Sequence, residues 1–220
     1  MVSQALRHRE TLDKIIAEER AEWHFNPLLK TQDYRAIGNI KSSQGSHWDE
    51  IVCFAQELDR RIEMSSAFDW LPSPDEHDKA LIRSMGYDKY STSLFRIYSD
   101  SYPEIFDPIL TACDLIDPIG SLIHQKPGGT CPWHYDTFAF YKQRFAVSDP
   151  SSISRYLIFL EDWIWGHYVL VGNSVVHQWH AGDVISWPWR MRHLSANAGL
   201  TPKLTIQVTG KRPPARTAAL

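Results

Sequence analysis

His134 and Asp136 stand two residues apart in the stretch CPWHYDTFAF, and their side chains are the types that hold a divalent metal. Residues i and i+2 of a strand point to one face, so an imidazole and a carboxylate at this spacing can close on one ion. The pair alone is weak, because surface strands often carry polar residues at i and i+2. A third ligand is needed. Two histidines and one carboxylate leave three coordination positions open, which suits a non-haem ferrous ion that also takes a co-substrate and oxygen. The later histidines are His167, His177, His180 and His193. His167 follows WIWG and is expected at the solvent-facing tip of a turn. His177 and His180 are three apart on one expected strand and cannot share its face, and His180 runs straight into an Ala-Gly-Asp turn. His193 opens a strand. Ten residues after it comes Lys203, with Thr205 two further on. Both face one way on a strand expected to pair with that of His193, and a cation with a hydroxyl beside a metal makes a seat for a carboxylate. His180 has Arg190 at the same offset, but Arg190 lies in a PWRMR turn beside a proline, with no alternating strand to carry it inward. The spacing favours His193.

Short β-branched and aromatic runs must position these residues: STSLFRIYS, PIGSLIHQ, SRYLIFLED, HYVLVG, SVVHQWH, DVISWPW and KLTIQVTG. Turns at Pro127-Gly128-Gly129, Gly172-Asn173, Gly182-Asp183 and Gly199 separate them, and many short strands at this spacing predict a sandwich or barrel. One helix, YPEIFDPILTACDL, interrupts early. Residues 1–92 read as mainly helical. Leu6, Leu12, Ile15, Ile16 and Trp23 fall at near-helical spacing. Trp48, Ile51, Val52, Ala55, Leu58 and Ile62 form a cleaner stripe, with Ser46 and Asp49 as its expected cap. A third helix is expected from Ser73, with Pro74 at its first position and Gly86 to stop it. Residues 211–220 read as a loose tail.

The bulk numbers exclude several classes. A chain of 220 residues with 43% apolar and 22% charged residues is globular rather than disordered. A net charge of −3 offers nothing to a nucleic acid. The first twenty residues are charged throughout, so no secretory leader is expected, and no apolar run approaches the roughly 20 residues of a membrane span. Cys53, Cys113 and Cys131 are far apart and form no CxxC, which encodes neither a disulfide framework nor a thiolate zinc site. A cytoplasmic protein fits. Nine tryptophans, six of them between Trp133 and Trp189, exceed what a plain core requires.

The pattern resembles the iron(II)- and 2-oxoglutarate-dependent dioxygenases, over about residues 94–210. The segments FLEDW and GDVISWPWRMRHLSANAGLTPKLTIQVTG are similar to small oxygenases of bacterial and phage type. The resemblance implies a double-stranded β-helix, or jelly roll, of cupin-like form, buttressed by the N-terminal helices in an α+β arrangement. Residues 1–210 would make a single domain, with the β-helix from residue 93. The family's H-x-D…H triad falls on His134, Asp136 and His193. Its basic residue for 2-oxoglutarate falls on Lys203, as in prolyl 4-hydroxylase-like members, with Thr205 beside it. Gln125 stands where those members place a tyrosine that hydrogen-bonds the co-substrate. The implied cofactors are Fe(II), 2-oxoglutarate and O2, with succinate and CO2 released. Family halogenases carry Gly or Ala at the position of Asp136, so the carboxylate implies hydroxylation or another halide-free oxidation.

The segment TFAFYKQRFAVSDPSSISR, a frequent lid in that family, makes Tyr141, Lys142, Arg144 and Arg155 candidates for holding an anionic or amino-acid-like small molecule. Trp163 is a further substrate-contact candidate, although Trp163, Trp165, Trp187 and Trp189 serve first as core and rim packing. His124 points away from Gln125 and reads as structural, and His177 and His180 read as surface residues. Two other classes fit less of the pattern. A cupin-type metalloprotein working without 2-oxoglutarate, as isomerase, lyase or ligand binder, would leave Lys203 and Thr205 without purpose, and a binding module with a dead site would leave the triad so.

Overall fold

The computed structural model describes residues 33–58, 64–66, 93–136, 138–189 and 191–213. The expected helices over residues 6–23 and 73–86, and Arg190, lie outside them. Eleven strands are described: β1 (Arg35–Asn39), β2 (Met64–Ser66), β3 (Ser93–Tyr98), β4 (Ile116–Gln125), β5 (Thr130–His134), β6 (Ile153–Phe159), β7 (His167–Val171), β8 (Ser174–Val176), β9 (Asp183–Ser186), β10 (His193–Asn197) and β11 (Lys203–Lys211). They form a seven-stranded sheet in the order β1-β9-β6-β11-β4-β3-β2 and a four-stranded sheet in the order β5-β10-β7-β8. Every pairing is antiparallel. From β4 onward the chain passes from the large sheet to the small and back: β4, then β5, β6, β7–β8, β9, β10 and β11. That winding is the double-stranded β-helix, and it sets β5 and β10 across from β4, β6 and β11. The strand of Lys203 therefore pairs with β4 and β6 rather than with β10, and the expected pairing to the strand of His193 is corrected to a facing one.

Side-chain parity on the large sheet explains why. On β11, Leu204, Ile206 and Val208 belong to an outer apolar cluster with Leu122, Ile158 and Val184. Helices α2 (His47–Gln56) and α3 (Pro103–Ala112) cover that face with Trp48, Ile51, Ala55, Phe106 and Ile109. The short α1 (Lys41–Gln44) precedes them. The alternate residues, Lys203, Thr205, Gln207 and Thr209, face inward. A buried face that is polar along one whole strand is the mark of a site rather than of a core. Leu157, Phe159, Val169, Val171 and Trp179 fill the rest of the space between the sheets.

Several local expectations change. Ser46 does stand before α2, but its side chain makes no cap hydrogen bond; its carbonyl receives Asp49 and Glu50 instead. His167 is buried, not at a turn tip, because its Nε2 hydrogen-bonds the Thr201 carbonyl at 3.0 Å. His177 and His180 lie beyond the end of β8 and are exposed. The segment after Asp136 forms a helix, α4 (Ala139–Phe145), entered and left through left-handed Phe138 and Ala146. The tail is not loose at its start: β11 includes Lys211, which pairs with Asp117 at 2.5 Å, and Arg212 bonds back to Ser151 and Ser152. No helix among the described residues is long and apolar enough to cross a membrane.

One glycine holds the site-bearing sheet in register. Gly166 has φ +95°, and a Cβ there would stand 2.3 Å from the Gly199 nitrogen. Ala198 donates to its carbonyl at 2.7 Å, just before β7 and just after β10. Gly166→Ala meets both backbone strain and a clash that no side-chain rotation relieves. It is expected to lower unfolding free energy by on the order of 3 kcal/mol, read as a shifted urea midpoint at unchanged m-value.

Candidate metal centre

β10 and β5 pair His193 directly with His134. A register shift between His193 and Ser195 brings the two rings to a centroid distance of 4.3 Å. Asp136 is not on the strand. β5 ends at His134, and the chain leaving it carries Asp136 back toward the imidazoles. The sequence spacing brings the pair together, but through a loop rather than through strand alternation. One ligand atom from each of His134, Asp136 and His193 lies within 4.8 Å of the other two. Asp136 Oδ1 is 4.0 Å from His134 Nε2, and Oδ2 is 3.6 Å from His193 Nε2.

The state of these atoms suits a cation. His193 Nδ1 donates to the Met191 carbonyl at 3.0 Å, which leaves the Nε2 lone pair aimed at Asp136. Burial pushes the His193 pKa below its ordinary value, against the pull of Asp136 and the Met191 carbonyl, so the ring is neutral near pH 7. Burial acts to raise the Asp136 pKa, but Arg155, His193, His134 and Arg96 together hold it below the usual carboxylate range. Arg155 Nη1 meets Asp136 Oδ1 at 2.5 Å. Asp136 Oδ2 and His193 Nε2 are buried with no hydrogen-bond partner. Two such adjacent atoms, one anionic and one a free lone pair, are costly unless a cation joins them. His134, Asp136 and His193 therefore fit a divalent ion of the kind that takes two imidazoles and a carboxylate. Trp187 lies against His193, ring centroids 4.7 Å apart, and shields it.

The triad opens on a cavity of about 670 Å³ between the sheets, within the range of small-molecule sites. Of the residues expected to seat a co-substrate, Thr205 lines it. Lys203 and Gln125, paired across β11 and β4, are one row deeper and off the wall. Lys203 Nζ donates to the Tyr168 carbonyl, Ser195 Oγ and the Ala196 carbonyl at 2.7, 2.7 and 2.9 Å. Gln125 donates to the Gly129 and Ser195 carbonyls and accepts from Ser195 Oγ. Ser195 lines the cavity and joins both residues to it. Burial pushes the Lys203 pKa down to about 7.

Of the substrate-contact candidates, Tyr141 and Arg155 line the cavity. Tyr141 is anchored, its hydroxyl donating to the Ile116 and Asp117 carbonyls. Arg144 is outside, ion-paired with Asp100 at the rim. Trp163 is outside as well, its Nε1 bonded to the His167 carbonyl at 2.7 Å. Lys142 is not on the wall. Sequence reasoning missed Ser195 and Arg96. The signal for Arg96 was present: it is the charged residue inside the run SLFRIYS, where an arginine in a half-buried strand needs a reason.

No family model matches the chain, and no curated protein matches it. Solved structures do resemble it. The non-heme alpha ketoglutarate dependent carbocyclase SnoK from nogalamycin biosynthesis aligns over 93% of this chain and 88% of its own, with a TM-score of 0.54 and 12% identity. The epimerase SnoN, in complex with Fe3+, alpha ketoglutarate and nogalamycin RO, aligns over 94% and 91%, with a TM-score of 0.53 and 12% identity. At that identity the likeness is one of fold, the double-stranded β-helix.

Proposed function

We propose that this protein is a ferrous- and 2-oxoglutarate-dependent oxygenase that oxidises a C–H bond of a small molecule, hydroxylation being the favoured outcome. The observation that carries the reading is the pair of orphaned atoms, His193 Nε2 and Asp136 Oδ2, facing each other beside His134 at the wall of the cavity between the sheets. SnoK and SnoN, of the same fold, are described as alpha ketoglutarate dependent, which supports the choice of co-substrate. Ferrous iron, with 2-oxoglutarate and dioxygen, supplies the oxidation and releases succinate and CO2. The chain's own part is positional. Met191 fixes the tautomer of His193, Arg155 holds Asp136 in place, and Trp187 keeps water from the imidazole. Thr205 and Ser195, with the Lys203 charge directly behind Ser195, form the seat for the distal carboxylate of 2-oxoglutarate. The carboxylate of Asp136 fills the place a halide would need, which favours oxygen insertion over halogenation.

Anaerobic addition of Fe(II) and 2-oxoglutarate is expected to give a visible metal-to-ligand charge-transfer band, and admission of air to give succinate. Absence of both would sink the proposal. A second reading has one observation in its favour: all three N–H groups of Lys203 are already engaged by the protein. A cupin-type metalloprotein acting without 2-oxoglutarate would bind Fe(II) yet show no band.

A further inference from the structure

Among the described residues, the inward face of the large sheet carries two arginines, Arg96 and Arg155, and one of them, Arg155, makes an ion pair. Arg155, on β6, meets Asp136 and donates through Nε to Thr209 Oγ1 at 3.1 Å. Arg96, on β3, also lines the cavity. Its Nη2 makes one long contact, 3.4 Å, with Gln207 Oε1, and its Nε is buried with no hydrogen-bond partner. No carboxylate among the described residues pairs with it. Four formal charges line the wall: Arg96, Asp100, Asp136 and Arg155. Asp100 is taken by Arg144 and Asp136 by Arg155, so Arg96 feels Asp136 at a distance but has no ion-pair partner of its own among the described residues. A divalent cation and a dianionic co-substrate cancel each other, so loading the centre does not supply the missing anion.

Arg96 shares a row with Thr205 of the co-substrate seat, two strands away, and it is the direction of its side chain that separates the two. Arg96 stands level with Ile123 and Thr205, and Tyr98 with Ser121 and Gln207. By reaching Gln207 the guanidinium leans one row away from Lys203, toward the open end where Tyr98, Asp100 and Phe140 are exposed. Phe138 and Trp187 add apolar surface on the same cavity. From these observations we infer that Arg96, with Gln207, is the recognition site for a carboxylate on the substrate, whose apolar body lies against the aromatic wall. This deepens the proposed function and rests on it for calling the ligand a substrate.

The probe is 4-fluorophenylacetate, with 4-fluorophenylacetamide as its uncharged twin, followed by fluorine NMR line broadening. It is titrated into the metal-free protein and into the Zn(II)- and 2-oxoglutarate-loaded protein. The acid is expected to bind in both forms and the amide not. Arg96→Gln should weaken the acid about tenfold to a hundredfold, the loss of one charge-assisted hydrogen-bonded contact. Arg96→Lys, which keeps the charge but not the fork, should fall between, and circular dichroism reports that both variants fold. The 2-oxoglutarate titration of the Fe(II) protein should be the same in Arg96→Gln as in wild type. Competition between probe and 2-oxoglutarate, with a weakened 2-oxoglutarate titration in Arg96→Gln, assigns the seat to the co-substrate and overturns the inference. Equal binding of acid and amide, or unchanged acid binding in Arg96→Gln, overturns it too. Failure of wild type to bind 2-oxoglutarate while the acid still binds through Arg96 leaves the carboxylate site standing and removes the proposed function instead.

Discussion

His193→Ala is expected to abolish ferrous binding and succinate formation, while His180→Ala is expected to leave both at wild-type level. The ring of His193 is buried, aimed by the Met191 carbonyl and paired across the sheet with His134. Removing a residue that merely orients a metal ligand costs about 10- to 100-fold in affinity, and removing the ligand costs more. The truncation also leaves Asp136 Oδ2 facing an empty space. His180 has a side chain 82% exposed, with its ring 3.7 Å from Asp162, so it can contribute nothing to the centre. Fe(II) titration under argon, followed by succinate assay in air, reads both variants. Metal binding lost in His180→Ala and kept in His193→Ala would reverse the assignment.

Lys203→Met has the second-largest expected effect, and it divides into two parts. The Tyr168 and Ala196 carbonyls and Ser195 Oγ all accept from Nζ. Each buried group left unsatisfied costs about 1–3 kcal/mol, so a loss on the order of 3–5 kcal/mol in unfolding free energy is expected. The second part is a loss of about ten- to a hundredfold in 2-oxoglutarate affinity, with ferrous binding unchanged. The pH dependence follows from burial, which brings Lys203 to about 7 in the folded protein against about 10.4 in an unfolded chain. Between those values the unfolded state binds the extra proton, so wild-type stability rises with pH, by at most about 1.4 kcal/mol per unit. Below pH 7 the penalty of burying the ammonium is fully present. Three acceptors at Nζ need all three N–H groups, which opposes deprotonation and keeps the slope under that limit. Lys203→Met should flatten this part of the curve, and an unchanged slope would show that Lys203 is not its source.

The strands and most turns were legible because each rests on local chemistry. Alternating apolar residues in KLTIQVTG and a glycine at φ +78° after β4 are readable within ten positions. His134, Asp136 and His193 were legible through residue type and spacing. The residues that misled are those whose partners are distant. His167 looked like a turn residue because its acceptor, Thr201, is 34 positions away. Lys203 gave its inward direction through parity, but not the carbonyls that engage it from the opposite sheet. The helix at Ala139–Phe145 carries no capping side chain and starts from a left-handed phenylalanine, so nothing in its composition announces it. The run SLFRIYS shows that Arg96 is an unusual residue for a half-buried strand, but the cavity it lines is formed by both sheets and cannot be read from that run.

The alternation on β11 has a consequence for how such a protein changes over time. Leu204, Ile206 and Val208 secure the strand to the helices, whereas Thr205, Gln207 and Thr209 meet whatever enters the cavity. Odd and even positions thus answer to different physical demands although they are covalent neighbours. A lineage can redraw the interior surface one odd-numbered residue at a time, trading one guest molecule for another, while the even-numbered residues keep the scaffold intact. Lys203 is the exception, an odd-numbered residue that ties the two sheets together, and it marks the depth at which that freedom ends.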